Sequence, residues 1–205
     1  MKAKHIGNSF IIAGAACLLA CLGWFAWLQY DDGRAVNDSR LAVSAVIEQA
    51  GKTDAETTDD TEIPEESDIP QLTEIEIDGV TYIGYLSIPS VDLTMAVTTA
   101  PDDAWLKFAL CRYYGSTYTS DLVICGHNYK SAFGKIKDLE PGDEVYFTDM
   151  DGNVTAYEVV LSEVLAGTDI EGMTGSEYDL SLYTCTYGGQ DRYTVRCNDV
   201  TPAGI

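Results

Sequence analysis

The chain has 205 residues and carries 33 acidic against 12 basic side chains, which gives a formal net charge of −21. This length supports one domain of ordinary size around a single core. A chain this acidic repels phosphate backbones and offers no basic stripe to bind them, so nucleic acid is excluded as a partner.

The N-terminal part contains an apolar segment, residues 9–28, without a charged side chain. Roughly 20 apolar residues in a helix cross the hydrocarbon core of a bilayer. Two lysines precede the segment and two aspartates follow it, so the positive-inside rule places the N-terminus in the cytoplasm. We expect residues 1–30 to form a cytoplasmic tail and a single-pass transmembrane signal-anchor in the cell membrane, with the rest of the chain on the extracellular face.

Two other interpretations of this apolar segment remain open: a cleaved secretory signal and a lipoprotein signal. A cleaved secretory signal would have a shorter apolar core, whereas this run continues through Trp24 and Trp27. The sequence Leu-Leu-Ala-Cys ending at Cys21 resembles a lipoprotein processing site, with Cys21 as the lipid-bearing residue. Every outcome except full cleavage and release keeps the domain tethered to the outer membrane face.

Residues 31–71 read as a short helix and an acidic spacer. Apolar residues at helical spacing predict a helix over residues 36–50, with Asn37 or Asp38 as its cap and Gly51 at its end. The stretch that follows is acidic, rich in Thr and Pro, and without hydrophobic periodicity, so it predicts a solvated spacer. The apolar stripe of the helix consists of Leu41, Val43, Val46 and Ile47.

Residues 72–205 change to short β-type runs separated by turn residues. Asp78-Gly79 between alternating runs predicts a hairpin, and residues 151–153 predict another turn. Residues 102–114 fit a helix with Asp102 or Asp103 as its cap. About eight strands with one or two short helices indicate a mainly β fold, a closed or nearly closed barrel rather than an alternating βαβ sheet.

Six cysteines are too few and too scattered for a disulfide scaffold, because two of them lie in the apolar segment. There is no CxxC pair, and His127 is the one histidine beyond the anchor. We therefore expect no metal site and no cofactor. Cys125, at the end of an apolar run, is expected to be a core residue.

The stretch SLYTCTYGGQDRYTVRC, residues 181–197, reads as a hairpin that turns over two glycines. A two-residue turn puts Cys185 directly opposite Arg192 on the same face. A four-residue loop makes Cys185 and Arg192 diagonal neighbours, and Arg196 then competes with Arg192 for the position beside the thiol. A guanidinium beside a thiol favours the thiolate, and its donors can hold an oxyanion.

Covalent catalysis by cysteine also needs a proton donor for the leaving group, usually histidine. His127 follows a β run at Gly126 and is the available candidate. Each residue alone has a commoner structural role: the thiol as a small buried side chain, the histidine in a turn, and the arginine as a solvated side chain. The residues leave both interpretations open.

From about residue 82 to 200 the chain resembles a sortase, one of the cysteine transpeptidases that attach proteins to the cell wall or to one another in Gram-positive bacteria. The resemblance rests on IGYLSIPSVDL, VICGHN, FGKIKDLEPGDEVYFTDMDGNVTAYEV, and LYTCTY followed by RYTV, in family order. It implies a sortase-like eight-stranded β-barrel with a shallow groove beside the cysteine, so that residues 72–205 form the catalytic domain.

The resemblance also implies roles for individual residues. Cys185 matches the nucleophile, His127 the general acid, and Arg192 the arginine that holds the oxyanion or positions substrate. The implied reaction cleaves a Leu-Pro-x-Thr-Gly-like or Asn-Pro-x-Thr-like sorting signal after Thr, then transfers the acyl group to an amine of a peptidoglycan precursor or a pilin lysine. The partners are thus surface proteins that bear sorting signals. Substrate contacts are expected from Asn128, Thr184 and Tyr187.

The sortase class stays open. The Cys-Thr-Tyr and Gly-His-Asn motifs resemble class B most, but the segment between Val160 and Ser181 is short for the helix that class often carries. Some class A members bind calcium through acidic residues before the Gly-His turn; here that stretch offers only Asp121, so we expect no calcium dependence.

Two alternatives belong to other classes. An L,D-transpeptidase is also β-rich, but it carries Ser-His-Gly-Cys where this chain has Thr-Cys-Thr around Cys185. A membrane-tethered, non-catalytic peptide-binding barrel would bury Cys185 as packing, and its thiol would then react slowly with alkylating agents.

Overall fold

The computed structural model describes residues 2–52, 70–102, 104–129 and 132–202, with side chains from residue 14 onward except at residues 27–35. One long helix precedes a β-domain. The helix, α1, spans Lys2–Gln49.

The prediction of a separate helix beginning near Asn37 or Asp38 is wrong, because α1 runs through both residues without a break. Its predicted end is confirmed, since Gly51 follows the last turn and its backbone N–H donates to the carbonyl of Met150 over 3.1 Å. Of the predicted stripe, Val46 is fully buried and Val43 packs beside it, whereas Leu41 and Ile47 are exposed. The last turns of α1 therefore dock on the β-domain through a narrower face than predicted.

The predicted anchor, residues 9–28, lies within α1, and part of it falls outside the residues whose side chains are described. Over the described residues, no helix combines the length and the apolar character needed to cross a membrane. Most of the predicted acidic spacer, residues 53–69, lies outside the described residues.

Nine strands occur in the described part of the β-domain. They are β1 Ile75–Ile77, β2 Val80–Ile88, β3 Leu93–Thr98, β4 Leu110–Tyr114, β5 Leu122–Gly126, β6 Glu144–Asp149, β7 Val154–Ala166, β8 Leu180–Cys185 and β9 Asp191–Asp199. The short helices between them are two 3₁₀ helices, Pro89–Val91 and Phe133–Asp138, and α2, Ile170–Thr174.

The strands run in the order β1-β2-β3-β4-β5-β8-β9-β7-β6, and pairing of β6 with β2 closes the sheet. Eight strands, β2 to β9, thus form a closed barrel, and the short β1 pairs with the start of β2. The predicted mainly β, eight-stranded barrel with few helices is confirmed. The barrel is filled by apolar side chains from all around the sheet, among them Ile83, Leu86, Leu110, Ile124, Phe147, Leu182 and Val195.

The predicted hairpin at Asp78-Gly79 is confirmed. Ile77 pairs with Val80, and both turn residues have positive φ, 53° and 79°, as a two-residue type I′ turn requires. The turn predicted at residues 151–153 is confirmed as well, because it joins β6 to β7.

The helix predicted over residues 102–114 is wrong beyond its first turn. Asp102 does act as a cap, since its carboxylate accepts from the backbone N–H of Ala104 over 2.7 Å, but the chain then enters β4. Leu110 and Cys111 are fully buried there, between the edges of β3 and β5. A helix would leave one edge of each of those two strands unpaired, so strand pairing outweighs the local helical pattern.

Candidate active site

The site is built where β5 and β8 lie side by side in parallel. Gly126 pairs with Thr184 at the end of both strands, so His127 and Cys185, the next residue of each, emerge as neighbours. Side chains alternate along a strand, and on β8 Leu180 and Leu182 lie in the core. Cys185 therefore projects from the outer face of the barrel wall.

Thr184 locks the ends of the two strands together. Its side chain is fully buried, and its hydroxyl donates to the carbonyl of Gly126 over 2.8 Å. A Cβ at Gly126 would lie 2.6 Å from Cδ2 of Leu110 and 2.7 Å from Cδ1 of Phe133, so only glycine fits this strand end. The packing of Phe133 against Gly126 fixes the point at which His127 leaves the barrel.

The loop that carries His127 folds back on itself. The backbone N–H of Gly134 donates to the carbonyl of Tyr129 over 3.0 Å, and the Tyr129 ring lies 5.2 Å from the His127 ring. His127 and Asn128 are half-buried. The imidazole is thus held beside the strand ends but reachable from solvent.

Cys185 and Arg192 pair directly across β8 and β9, as the tight-turn register predicts. The backbone N–H of Thr186 donates to the carbonyl of Asp191 over 2.9 Å, which fixes the base of the loop. Nη1 of Arg192 donates to the carbonyls of Gly189 at 3.0 Å and Asp191 at 3.2 Å. Its Nε and Nη2 groups donate to no described residue and remain available to a bound anion.

The strand register therefore places three chemical functions at the same end of three adjacent strands: an imidazole just after β5, a thiol at the end of β8 and a guanidinium on β9. All three side chains are half-buried. A thiol nucleophile flanked by a proton donor and an anion-binding fork is the arrangement that acyl transfer through a thioester requires.

Arg196 is not a competitor for Cys185. It pairs with Ser181, lies 1% exposed, and its guanidinium donates to Oε1 of Glu163 at 2.7 Å, to Oγ of Ser181 at 2.6 Å and to the carbonyl of Gly172 at 2.6 Å. These contacts hold α2 against the barrel wall. Two arginines on one face of β9 thus have different functions, one at the site and one in the structure.

The predicted substrate contacts fall in different environments. Tyr187 is fully exposed at the tip of the β8–β9 loop, and Asn128 lies beside His127 at the surface. The predicted substrate contact of Thr184 is wrong. Its side chain is fully buried and its hydroxyl donates to the carbonyl of Gly126, so it cannot contact a peptide. We assign it instead to the positioning of the strand ends.

A cavity of about 400 Å³ lies next to the site, between α1 and the barrel. Tyr129, the neighbour of His127, lines it, together with Arg40 and Val43 of α1 and with Met95 and Lys135 of the β-domain. Its lining does not include Cys185 or Arg192, so it adjoins the site without containing the thiol.

Sequence reasoning missed an aromatic contact behind the thiol. The rings of Tyr113 and Tyr183 meet edge to face with centroids 5.5 Å apart, and burial raises the pKa of the Tyr183 hydroxyl well above its usual value. The contact depends on β4, which the sequence pattern assigned to a helix.

Comparison with known proteins agrees with this geometry. The family model described as the sortase domain matches residues 86–200, more than half of the chain. The chain therefore belongs to the sortase family, whose members are cysteine transpeptidases. No protein of curated function matches the chain in sequence.

Solved structures with the same fold are sortases. Sortase A from Corynebacterium diphtheriae is 26% identical with a TM-score of 0.53, and the match covers 61% of this chain and 64% of that one. Sortase C from Streptococcus pneumoniae is 24% identical with a TM-score of 0.51, covering 60% of this chain and 72% of that one. A Clostridium perfringens sortase D5 transpeptidase, 19% identical with a TM-score of 0.50, covers 58% of this chain and 79% of that one.

The chain thus spans slightly less than two thirds of the Corynebacterium diphtheriae enzyme that it matches. The similarity to the Streptococcus pneumoniae and Clostridium perfringens structures, both less than 25% identical, shows a shared fold only. The structures named here are sortases of classes A, C and D, so the class B resemblance stays a prediction.

The two arginines of β9 are expected to differ in their effect on stability. Arg196→Met should lower the free energy of unfolding by about 2–4 kcal/mol, because buried partners lose charged hydrogen bonds. Arg192→Met, at a half-exposed position with only loop carbonyls as partners, should change it by less than about 1 kcal/mol. Urea unfolding of both variants measures this; equal losses, or a larger loss for Arg192→Met, would contradict the assignment.

Proposed function

We propose that this chain is a sortase-type transpeptidase that cleaves a sorting signal after Thr and transfers the acyl group to an amine. The observation that carries the proposal is the placement of Cys185 between His127 and Arg192 on three adjacent strands. Membership of the sortase family supports it.

The first half of the reaction forms a thioester. Sγ of Cys185 attacks the carbonyl carbon of the signal's Thr, and the oxygen of the tetrahedral intermediate takes the negative charge. The free N–H groups of Arg192 stabilise that oxyanion. As the intermediate collapses, the C–N bond breaks and His127 delivers a proton to the leaving amine.

The second half releases the product. An acceptor amine attacks the thioester carbonyl and gives a proton to His127, the C–S bond breaks, and the Cys185 thiolate and the protonated His127 are regenerated. The acceptor is the amine of a peptidoglycan precursor or of a pilin lysine, and the donor is a surface protein with a Leu-Pro-x-Thr-Gly-like or Asn-Pro-x-Thr-like signal. The reaction needs no cofactor. Tyr187, which is fully exposed, and Asn128, which is half-buried beside His127, are the residues that can contact the peptide.

We further propose that residues 9–28 anchor the chain in the cell membrane with the β-domain on the extracellular face. The support is the charge-free apolar segment, with lysines before it and aspartates after it. An extracellular position gives the thiol access to surface proteins as they emerge from the membrane.

The catalytic proposal is tested with the full-length chain in detergent, a panel of quenched sorting-signal peptides and an amine acceptor. Cleavage after Thr is expected, and Cys185→Ala should abolish it, by at least about 10³-fold, because the nucleophile is lost. His127→Ala and Arg192→Ala should each lower kcat/KM by about 10²–10⁴-fold.

The matched control is Cys197→Ala, a fully buried thiol on β9 away from the site, which should keep its activity. If no peptide is cut and Cys185 also resists alkylation in the folded protein, the barrel is a binding module and the transpeptidase proposal is wrong.

The membrane proposal predicts that the chain, produced in a Gram-positive host, stays in the membrane fraction after alkaline carbonate extraction. Leu19→Arg combined with Leu22→Arg should release it, since each arginine costs about 3 kcal/mol at the centre of a span. Leu41→Arg, on an exposed part of α1 outside the segment, should not. Retention that Cys21→Ala abolishes would indicate a lipid anchor instead, and recovery of the unmodified chain in the soluble fraction would contradict any anchor.

A further inference from the structure

Two cysteines that the proposed mechanism does not use face each other across neighbouring strands. Cys111 on β4 pairs directly with Cys125 on β5 in an antiparallel register. Both are free thiols, and they are 0% and 5% exposed. Cys125 lies two residues before His127, so the pair sits beneath the candidate active site.

The backbone geometry of this pair suits a covalent link. Residues directly opposite in antiparallel strands have Cα atoms about 4.5–5.5 Å apart. A disulfide bond spans Cα separations of about 4.4–6.8 Å. The two thiols lie close enough for each to shift the pKa of the other. Joining the sulfur atoms therefore needs side-chain rotation but no movement of the strands.

The surroundings favour reaction at Cys111. The hydroxyl of Thr98 donates a hydrogen bond to its sulfur over 3.0 Å. The neighbouring Cys125 thiol and this hydrogen bond lower the pKa of the Cys111 thiol, Cys125 most, against an opposing effect of burial. The neighbouring Cys111 thiol, together with burial, raises the pKa of Cys125. The thiolate is the reacting species in disulfide exchange, and the hydrogen bond from Thr98 stabilises it at Cys111, which makes Cys111 the attacking sulfur.

We propose that Cys111 and Cys125 form a cross-strand disulfide bond that fastens β4 to β5. The oxidant is a disulfide, either a small molecule or a thiol–disulfide oxidoreductase. The Cys111 thiolate attacks one sulfur of the oxidant and forms a mixed disulfide with it, while the S–S bond of the oxidant breaks and its other sulfur leaves as a thiolate. The Cys125 thiol then loses its proton and attacks the Cys111 sulfur, which releases the second thiolate. Two protein thiols are oxidised, and the oxidant is reduced to two thiols.

Burial sets the time at which the bond forms. Cys111 is fully buried in the folded β-domain, so a protein oxidant reaches it only before this burial is complete. Once the barrel closes, the same burial shields the bond from reductants. Disulfides persist in oxidising compartments, which agrees with an extracellular β-domain. The bond closes the loop between β4 and β5 and restrains β5, which ends one residue before His127. It is independent of the proposed transpeptidase activity.

The other two cysteines of the β-domain serve as internal controls. Cys197 lies opposite Val159 and Leu180, far from a second thiol in the register, and burial raises its pKa to about 12. Cys185 lies opposite Arg192 and is only a diagonal neighbour of Cys125, which pairs directly with Tyr183. Neither has a cysteine as its cross-strand partner.

The test uses the full-length chain in detergent, unfolded and refolded with oxidised and reduced glutathione. The protein is then denatured, alkylated without reduction, digested and analysed by mass spectrometry. We expect a linked peptide pair joining Cys111 to Cys125 that disappears after reduction, with Cys185 and Cys197 alkylated. Recovery of Cys111 and Cys125 as alkylated thiols, or links only to Cys185 or Cys197, would overturn the proposal.

A second measurement does not depend on locating the disulfide bond by mass spectrometry. The oxidised protein should unfold at a temperature roughly 5–10 °C above that of the reduced protein, as expected for a closed loop of about 15 residues. The difference should persist in Cys197→Ala and vanish in the double variant Cys111→Ala/Cys125→Ala. A difference of the same size in the double variant would mean that another bond is responsible. If the double variant does not fold, the mapping of the unmodified chain still decides.

Discussion

Parallel pairing of β5 with β8 is the contact on which the candidate site depends. The hydrogen bond from Thr184 to Gly126 joins residues 58 positions apart in the chain, and β6 and β7 lie between them in sequence. Parallel strands require such a long crossover. A one-residue slip of this register would turn Cys185 into the barrel and leave His127 beside the wrong residue. The interior packing that fixes the register thus also fixes the chemistry on the outer face.

Side chains that alternate along a strand point in turn into the barrel, where they form the core, and to its outer face, where they form the site. On β8 the even-numbered residues fill the barrel, while Cys185 reaches the surface one position beyond the last of them. On β9 two arginines share the outer face, but one is enclosed by α2 and Glu163 and the other lies at the open end beside the thiol. Position along the strand, not residue type, decides which arginine can meet an anion.

The sequence predicted the parts of the fold that local chemistry determines. Asp78-Gly79 set its hairpin, alternation indicated the barrel, and the hairpin register paired Cys185 with Arg192. Residues 102–114 were assigned to a helix because their spacing is helical, and only the open edges of β3 and β5 make residues 110–114 a strand. The resemblance implies a substrate contact for Thr184, whereas its inward orientation follows from the pairing of β8 with β5. The pairing of Cys111 with Cys125 depends on β4 and has no local signal.

The central claim is that Cys185 carries the acyl group, and mass spectrometry of the trapped intermediate tests it most directly. The full-length chain in detergent is mixed with a cleavable sorting-signal peptide without an acceptor amine, quenched in acid and mapped. The account predicts that the acyl part of the peptide is attached to Cys185 as a thioester that hydroxylamine removes, and that Cys185→Ala carries none. Peptide cleavage without an adduct at Cys185, or the same adduct in the Cys185→Ala variant, would contradict it.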